Sequence, residues 1–155
     1  MKGYTLQIAV VLALGWAPLL QATRAPGPQK PQEAGGYLPT KFSVLSASFR
    51  QNMTSMVWDG EVLRYEETLV GEPPRKQNLT PSKESWMKFW KEMDAIDIWK
   101  WKAEYMDNKL ADGHSWEVLL EHGDKRIHSR GRNMKPAQFE RFEKAVFELR
   151  GQKRK

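Results

Sequence analysis

The side chains best suited to chemistry are three histidines, His114, His122 and His128, all in the C-terminal third of the chain. Histidines that bind a metal or move a proton must converge, as in His-x-x-x-His on one helix face. Here His128 falls opposite Leu119 on the charged face of an expected hairpin, His122 borders a turn, and His114 precedes a strand, so the three do not meet. Ser129 stands beside His128 and near Gly131, but neighbours on a strand point to opposite faces, and no serine lies in a Gly-x-Ser-x-Gly turn. Asp107, Asn108 and Asp112 share one loop without the glycine and glutamate of a calcium loop. Scattered carboxylates, Glu104, Asp107 and Glu117, are what a small hydrolase would have to use. The chain has no cysteine. That excludes disulfides, a thiolate nucleophile, Cys-ligated zinc and iron–sulfur clusters. No catalytic residue, metal or cofactor is expected.

The aromatic residues are the other candidates. Trp99, Trp101, Tyr105 and Trp116 together could build a flat platform on which sugars or bases stack. The competing reading places them in the core, because amphipathic helices need a sheet face to cover. That reading is preferred, and it expects Trp99, Trp101, Trp116, Phe139 and Phe142 to be largely buried. Asn133, in the turn Gly131-Arg132-Asn133, is a further candidate for binding, although an asparagine before Pro136 also suits the turn itself.

The elements that must position these residues follow from periodicity. Phe42–Phe49 reads as a strand. The runs 53–58 and 61–69 flank Asp59-Gly60, a strong hairpin signal. Two-residue closure there pairs Trp58 with Glu61 and Met56 with Leu63, with Trp58, Met56, Leu63 and Tyr65 on the core face. Residues 70–79, with Gly71, Pro73 and Pro74, read as a loop. Thr80 and Pro81 suit the N-cap and first position of a helix, whose apolar stripe is Trp86, Phe89, Trp90 and Met93. Residues 98–105 alternate Trp99, Trp101, Ala103 and Tyr105 with Lys100, Lys102 and Glu104, as a half-buried strand does.

Residues 115–122 and 125–130 flank Gly123-Asp124, a second hairpin. Closure there sets Glu121 against Arg126 and Glu117 against Arg130, two pairs of opposite sign, and leaves Trp116, Val118, Leu120 and Ile127 on the other face. Lys100 and Lys102 would join the charged face if their strand pairs there. Pro136 opens a last helix with Phe139, Phe142, Val146 and Leu149 on one side and Gly151 at its end. Three strands and a helix thus occur twice, an order compatible with a degenerate βββα duplication. The expected fold is α+β: an antiparallel sheet of about six strands with two helices on one face.

The N-terminus differs in kind. Lys2, an apolar run from Ile8 to Leu20 broken by Gly15 and Pro18, and small residues at Ala22 and Ala25 form the pattern of a secretory signal peptide. Cleavage is expected after Ala22, giving a leader over 1–22, and the run is short for a membrane span. No other segment is long and apolar enough, so the mature chain should have no transmembrane segment. A proline- and glycine-rich linker is expected over 23–40, one domain over 41–150 and a basic tail over 151–155. The net charge of +6 is mild, and no lysine–arginine stripe marks a nucleic-acid surface.

Ser115-Trp116-Glu117-Val118 followed by Ser129-x-Gly131-x-Asn133-x-x-Pro136-x-x-Phe139-x-x-Phe142 resembles a pattern of uncharacterised bacterial exported proteins: a Trp-bearing strand, a hairpin, a Gly-x-Asn-x-x-Pro turn and a C-terminal helix. It covers about a quarter of the chain, and Met134-Lys135 replaces the tyrosine or alanine often found before the proline. The resemblance implies export and a fold element, with no activity attached. The function expected is therefore that of a non-enzymatic interaction or structural domain, with an envelope protein or a glycan as partner. A carbohydrate-binding module using exposed tryptophans is the alternative, and a small hydrolase the third reading.

Overall fold

The computed structural model describes residues 36–48, 52–107 and 113–151. The expected leader, most of the linker, Asn108 and Asp112 of the acidic loop, and the tail beyond Gly151 lie outside the described residues. Among the described residues seven strands form one sheet: β1 (Lys41–Ser48), β2 (Met53–Trp58), β3 (Leu63–Thr68), β4 (Arg75–Leu79), β5 (Glu104–Met106), β6 (His114–His122) and β7 (Lys125–Arg132). Their order is β4-β3-β2-β1-β6-β7-β5. All neighbours are antiparallel except β5, which runs parallel to β7. Helices α1 (Lys83–Ala95) and α2 (Phe139–Leu149) pack on one face. The class is thus α+β as expected, with one strand more than the sequence indicated. The two halves are connected differently. The first is a plain meander of four strands, whereas β5 precedes β6 in sequence yet lies at the far edge beyond β7, so the topology gives the duplication no support.

The inner face of the sheet reads as rows across the strands. The first, Leu79, Leu63, Trp58, Phe42, Leu120 and Ile127, lies towards α1. The second holds Tyr65, Met56, Val44, Val118 and Ser129. The third starts with Glu67, Thr54 and Ser46 and ends with Trp116, Gly131 and Tyr105. This change from short or polar residues to aromatic ones along a single row matters for the site below. On α1 the expected stripe Trp86, Phe89, Trp90 and Met93 is buried; on α2 Phe139, Phe142, Ala145 and Leu149 are. Lys88 with Glu148 at 2.6 Å and Arg141 with Glu92 at 2.8 Å link the helices on their solvent side.

Several expectations change. Residues 75–79, read as loop, form the edge strand β4: Arg75 to Asn78 are exposed and carry no burial signal, but their backbones pair with β3. The N-cap of α1 is Ser82, which accepts from the Ser85 amide at 3.2 Å, in place of Thr80. Pro136 likewise precedes α2 by one turn, in which its carbonyl accepts from the Phe139 amide. The strand expected over 98–105 is mostly not a strand. Asp97 turns left-handed at φ 53°, and Ile98–Lys100 form a 3-10 turn that drops Ile98 into the core. Only Glu104–Met106 pair, so Glu104 and not Lys100 or Lys102 joins the charged outer face, against Arg130. Ahead of β1, Leu38 and Pro39 already pack on the domain, Trp90 Nε1 donates to the Tyr37 carbonyl at 2.8 Å, and His122 Nε2 lies 2.9 Å from the Gly36 carbonyl. The ordered body thus takes in 36–40.

The first hairpin pairs Trp58 with Leu63 and Met56 with Tyr65, two residues from the expected register. Asp59 is the reason. Its carboxylate accepts from the Glu61 and Val62 amides, each at 2.9 Å, and pairs with Arg64 Nε at 2.7 Å, which widens the turn to Asp59–Val62. A shift of two preserves which face each residue occupies. The two amide hydrogen bonds, aided by Arg64, hold the Asp59 carboxyl below its ordinary 3.8. A depressed folded pKa adds stability above the unfolded value that is lost as pH falls through the folded one. Asp59→Ala is therefore expected to lower the melting temperature at neutral pH, with the gap closing below pH 3.8; a gap that stays constant to pH 2 would contradict this role.

Candidate functional site

The second half of the third row is closed. The Trp116 indole lies across Gly131, donates from Nε1 to the Met134 carbonyl at 2.9 Å, and meets Phe139 at 4.6 Å and Trp101 at 6.1 Å between ring centres. Trp101 also packs on Phe142, and Tyr105 on Trp116, its hydroxyl accepting from the Lys102 amide at 3.1 Å. Trp99 sits apart, stacked on Trp90 and donating to Asp94 Oδ1 at 2.6 Å. Trp116, Phe139 and Phe142 are buried as expected; Trp99 and Trp101 are half-buried. The four candidate aromatics therefore divide between two clusters and share no common plane, the Trp101 and Trp116 rings meeting at 76°. Asn133 is half-buried at φ 58°, its amide bonded to the His114 carbonyl and its side chain donating to the Asp107 carbonyl at 3.4 Å. It shapes the turn after β7.

The polar candidates do not converge. Glu117 holds His128 at 2.6 Å and Glu104 pairs with Arg130, both on the open outer face of the sheet; Glu121 there pairs with Lys41 at 3.4 Å. Asp107 lies at the end of β5, where its amide bonds the Arg132 carbonyl. His122 stacks on Trp90, with ring centres 4.2 Å apart. His114 lies near Ser46 Oγ at 3.4 Å and Ser48 Oγ at 3.2 Å. Burial pushes its imidazole pKa down, which favours the neutral ring. A serine beside a histidine is one step towards a nucleophile, but the other imidazole nitrogen faces a second hydroxyl and not an orienting carboxylate. Among the described residues no group of acidic and histidine side chains could hold a metal ion, and no helix is long and apolar enough to cross a membrane.

The first half of the third row is open. Ser46 and Thr54 are too short to reach α2, so a cleft of about 180 Å³ remains between α2 and strands β1–β3. Val44, Met56 and Val118 form its floor, and Phe142, Val146 and Phe147 its roof. Tyr65 and Arg150 close one side, and the same two residues line a second, polar hollow with Glu67 and Arg75. The Arg150 guanidinium lies 3.8 Å over the Tyr65 ring and 5.4 Å from the Phe147 ring. Tyr65 is 6% exposed. Its Oη, and Nε of Arg150, are buried without a hydrogen-bond partner among the described residues. Burial pushes the Tyr65 phenol pKa up, Arg150 opposes this, and Glu67 adds to it, so the phenol keeps its proton and can donate. The residues missed by sequence reasoning are Ser46, Thr54 and Arg150. The last was read only as a basic helix end.

Comparison with protein-family models, with curated proteins and with solved structures finds no match to this chain.

Proposed function

We propose that this chain is a non-enzymatic, exported binding domain whose ligand occupies the cleft beneath α2. The observation that carries the reading is the space left between the half-buried Val44 on the sheet and the half-buried Val146 and Phe147 on α2. These apolar side chains border space that Ser46 and Thr54 leave open, while the same row is packed with aromatics on the other side of β1. A concave, largely apolar site with a few placed polar groups is the usual form of a small-molecule site. Export rests on the leader pattern of the first 22 residues and on the resemblance of the Trp116–Phe142 stretch. A glycan stacked on tryptophans has less to rest on, since Trp116 is buried and Trp99 lies in a different cluster from Trp101. A hydrolase would need polar groups that converge in a concave pocket, whereas Glu104 and Glu117 flank Arg130 on the open outer face of the sheet and Asp107 lies at the end of β5.

A neutral apolar probe tests the cleft. 1-Octanol is expected to bind the mature protein saturably at one site, and Val146→Phe, which fills the cleft from the roof, should abolish that binding while the fold melts normally. Loss of the reading would be signalled by no saturable binding, or by equal binding to Val146→Phe. Protein recovered from its native host should begin at Thr23.

A further inference from the structure

We propose that the outer face of the sheet is the interface of a symmetric dimer, in which a second copy of this chain packs face to face about a two-fold axis running along β1. Both helices pack on the inner face, and among the described residues nothing covers the outer one. The proposal goes beyond the cleft reading and does not rest on it.

The side-chain pattern across this face is self-complementary. One row runs from β4 to β5 as Lys76, Glu66, Ser55, Leu45, Glu117, Arg130 and Glu104. Leu45 is its midpoint, because β1 is the central strand. A two-fold axis along β1 turns the row back on itself. Leu45 then meets Leu45, Ser55 meets Glu117, Glu66 meets Arg130, and Lys76 meets Glu104, so both charged appositions are of opposite sign. In the next row the exposed Val57 meets Leu119 across Ser43; in the row on the other side the exposed Met53 meets Ser115 across Ala47. Small and apolar side chains thus form the middle and charged ones the rim, as in known interfaces.

Other axes fit worse. An axis across the strands would set β7 against β7, whose outward side chains Arg126, His128, Arg130 and Arg132 are all basic. An axis along β6 would set Glu117 against Glu117, and would leave part of each sheet without a partner. In the proposed arrangement two basic appositions remain, Arg64 with His128 and Lys41 with its copy. Each of these groups is held by a carboxylate of its own chain: Asp59, Glu117 and Glu121 respectively. The size also agrees. Strands about 4.8 Å apart and rows about 6.7 Å apart give the face roughly 700 Å², close to the ~800 Å² that each partner buries in a stable complex. The edge strand β4, led by Arg75 and Lys76, is less suited to pairing with a copy.

Sedimentation equilibrium of the mature protein is expected to show a dimer that dissociates in the micromolar range. Leu45→Lys and Leu45→Glu each set like charges against each other on the axis, and each should dissociate at least about tenfold more readily. An equal mixture of the two variants should form dimers again, because only a residue that meets its own copy is rescued in this way. Val57→Glu changes an exposed position that the fold does not depend on. It should weaken the dimer as well, by setting a charge against Leu119 of the second copy. Val146→Phe alters the opposite side of the sheet and should leave the dimer unchanged, which keeps this result apart from that for the cleft. A monomer throughout the micromolar range, a dimer that withstands both Leu45→Glu and Val57→Glu, or a mixture no more associated than its two components would overturn the proposal.

Discussion

Trp86→Ala should destabilise the domain by about 3–5 kcal/mol, the range for truncating a fully buried large aromatic. Trp86 is fully buried and stands where α1 meets the first row of the sheet. Its ring meets Phe42 at 5.6 Å and Trp58 at 5.8 Å edge-on, and lies stacked against Trp90 at 6.0 Å. Truncation would remove a shared neighbour from four rings, Phe89 being the fourth, and leave a void that α1, pinned by the Lys88 and Glu92 ion pairs to α2, is poorly placed to collapse. Denaturant unfolding with an unchanged m-value is the measurement. A loss below about 1 kcal/mol would show that the site relaxes, against the usual behaviour of well-packed cores.

The Trp116–Gly131 pair carries the second large effect. The two residues are directly opposed across β6 and β7. A Cβ built on Gly131 would lie 2.3 Å from Trp116 Nε1 and 2.6 Å from the Met134 carbonyl oxygen. Space, and not a special backbone angle, requires the glycine. Gly131→Ala should cost roughly 1–3 kcal/mol by overpacking, towards the upper end because one obstacle is backbone. Trp116→Ala should cost about 3–5 kcal/mol, through its buried ring and its hydrogen bond to Met134. The double variant should be less damaged than the sum, since removing the indole removes one of the two clashes; coupling of at least about 1 kcal/mol is expected. Strict additivity would mean that the close approach does not constrain the turn.

How much of this was readable in the sequence depended on where the determining interaction lay. The second hairpin was legible to the residue, because a Gly-Asp turn and two opposite-sign pairs, Glu121–Arg126 and Glu117–Arg130, agree only in the observed register. The first hairpin was legible in its faces but not its pairing, since the Asp59 side chain competes for the turn amides. Strand β4 left no signal. An edge strand needs only a neighbour's backbone, and Arg75, Lys76, Gln77 and Asn78 bury nothing; such charged edges also discourage pairing with other chains. The Trp–Lys alternation of 98–102 imitated a strand, while Asp97 turned the chain and Ile98 took the buried place. The resemblance pattern proved to be a packing unit: Trp116 over Gly131, Pro136 buried, and Phe139 and Phe142 closing the same cluster. The cleft could not be read at all. Ser46, Thr54, Tyr65 and Arg150 come from four elements, and a space left by short side chains has no local pattern.

The centre of the sheet is the β1–β6 seam, where Phe42 faces Leu120 across most of the described chain. Strands β1–β4 can close their hairpins as soon as they exist, but Val44, Met56 and Tyr65 have no roof until α2, the final element, arrives. Neither half of the polypeptide can therefore settle into a lasting shape by itself. Closing so long a loop comes first and is rewarded only afterwards, which makes collapse late and all-or-none.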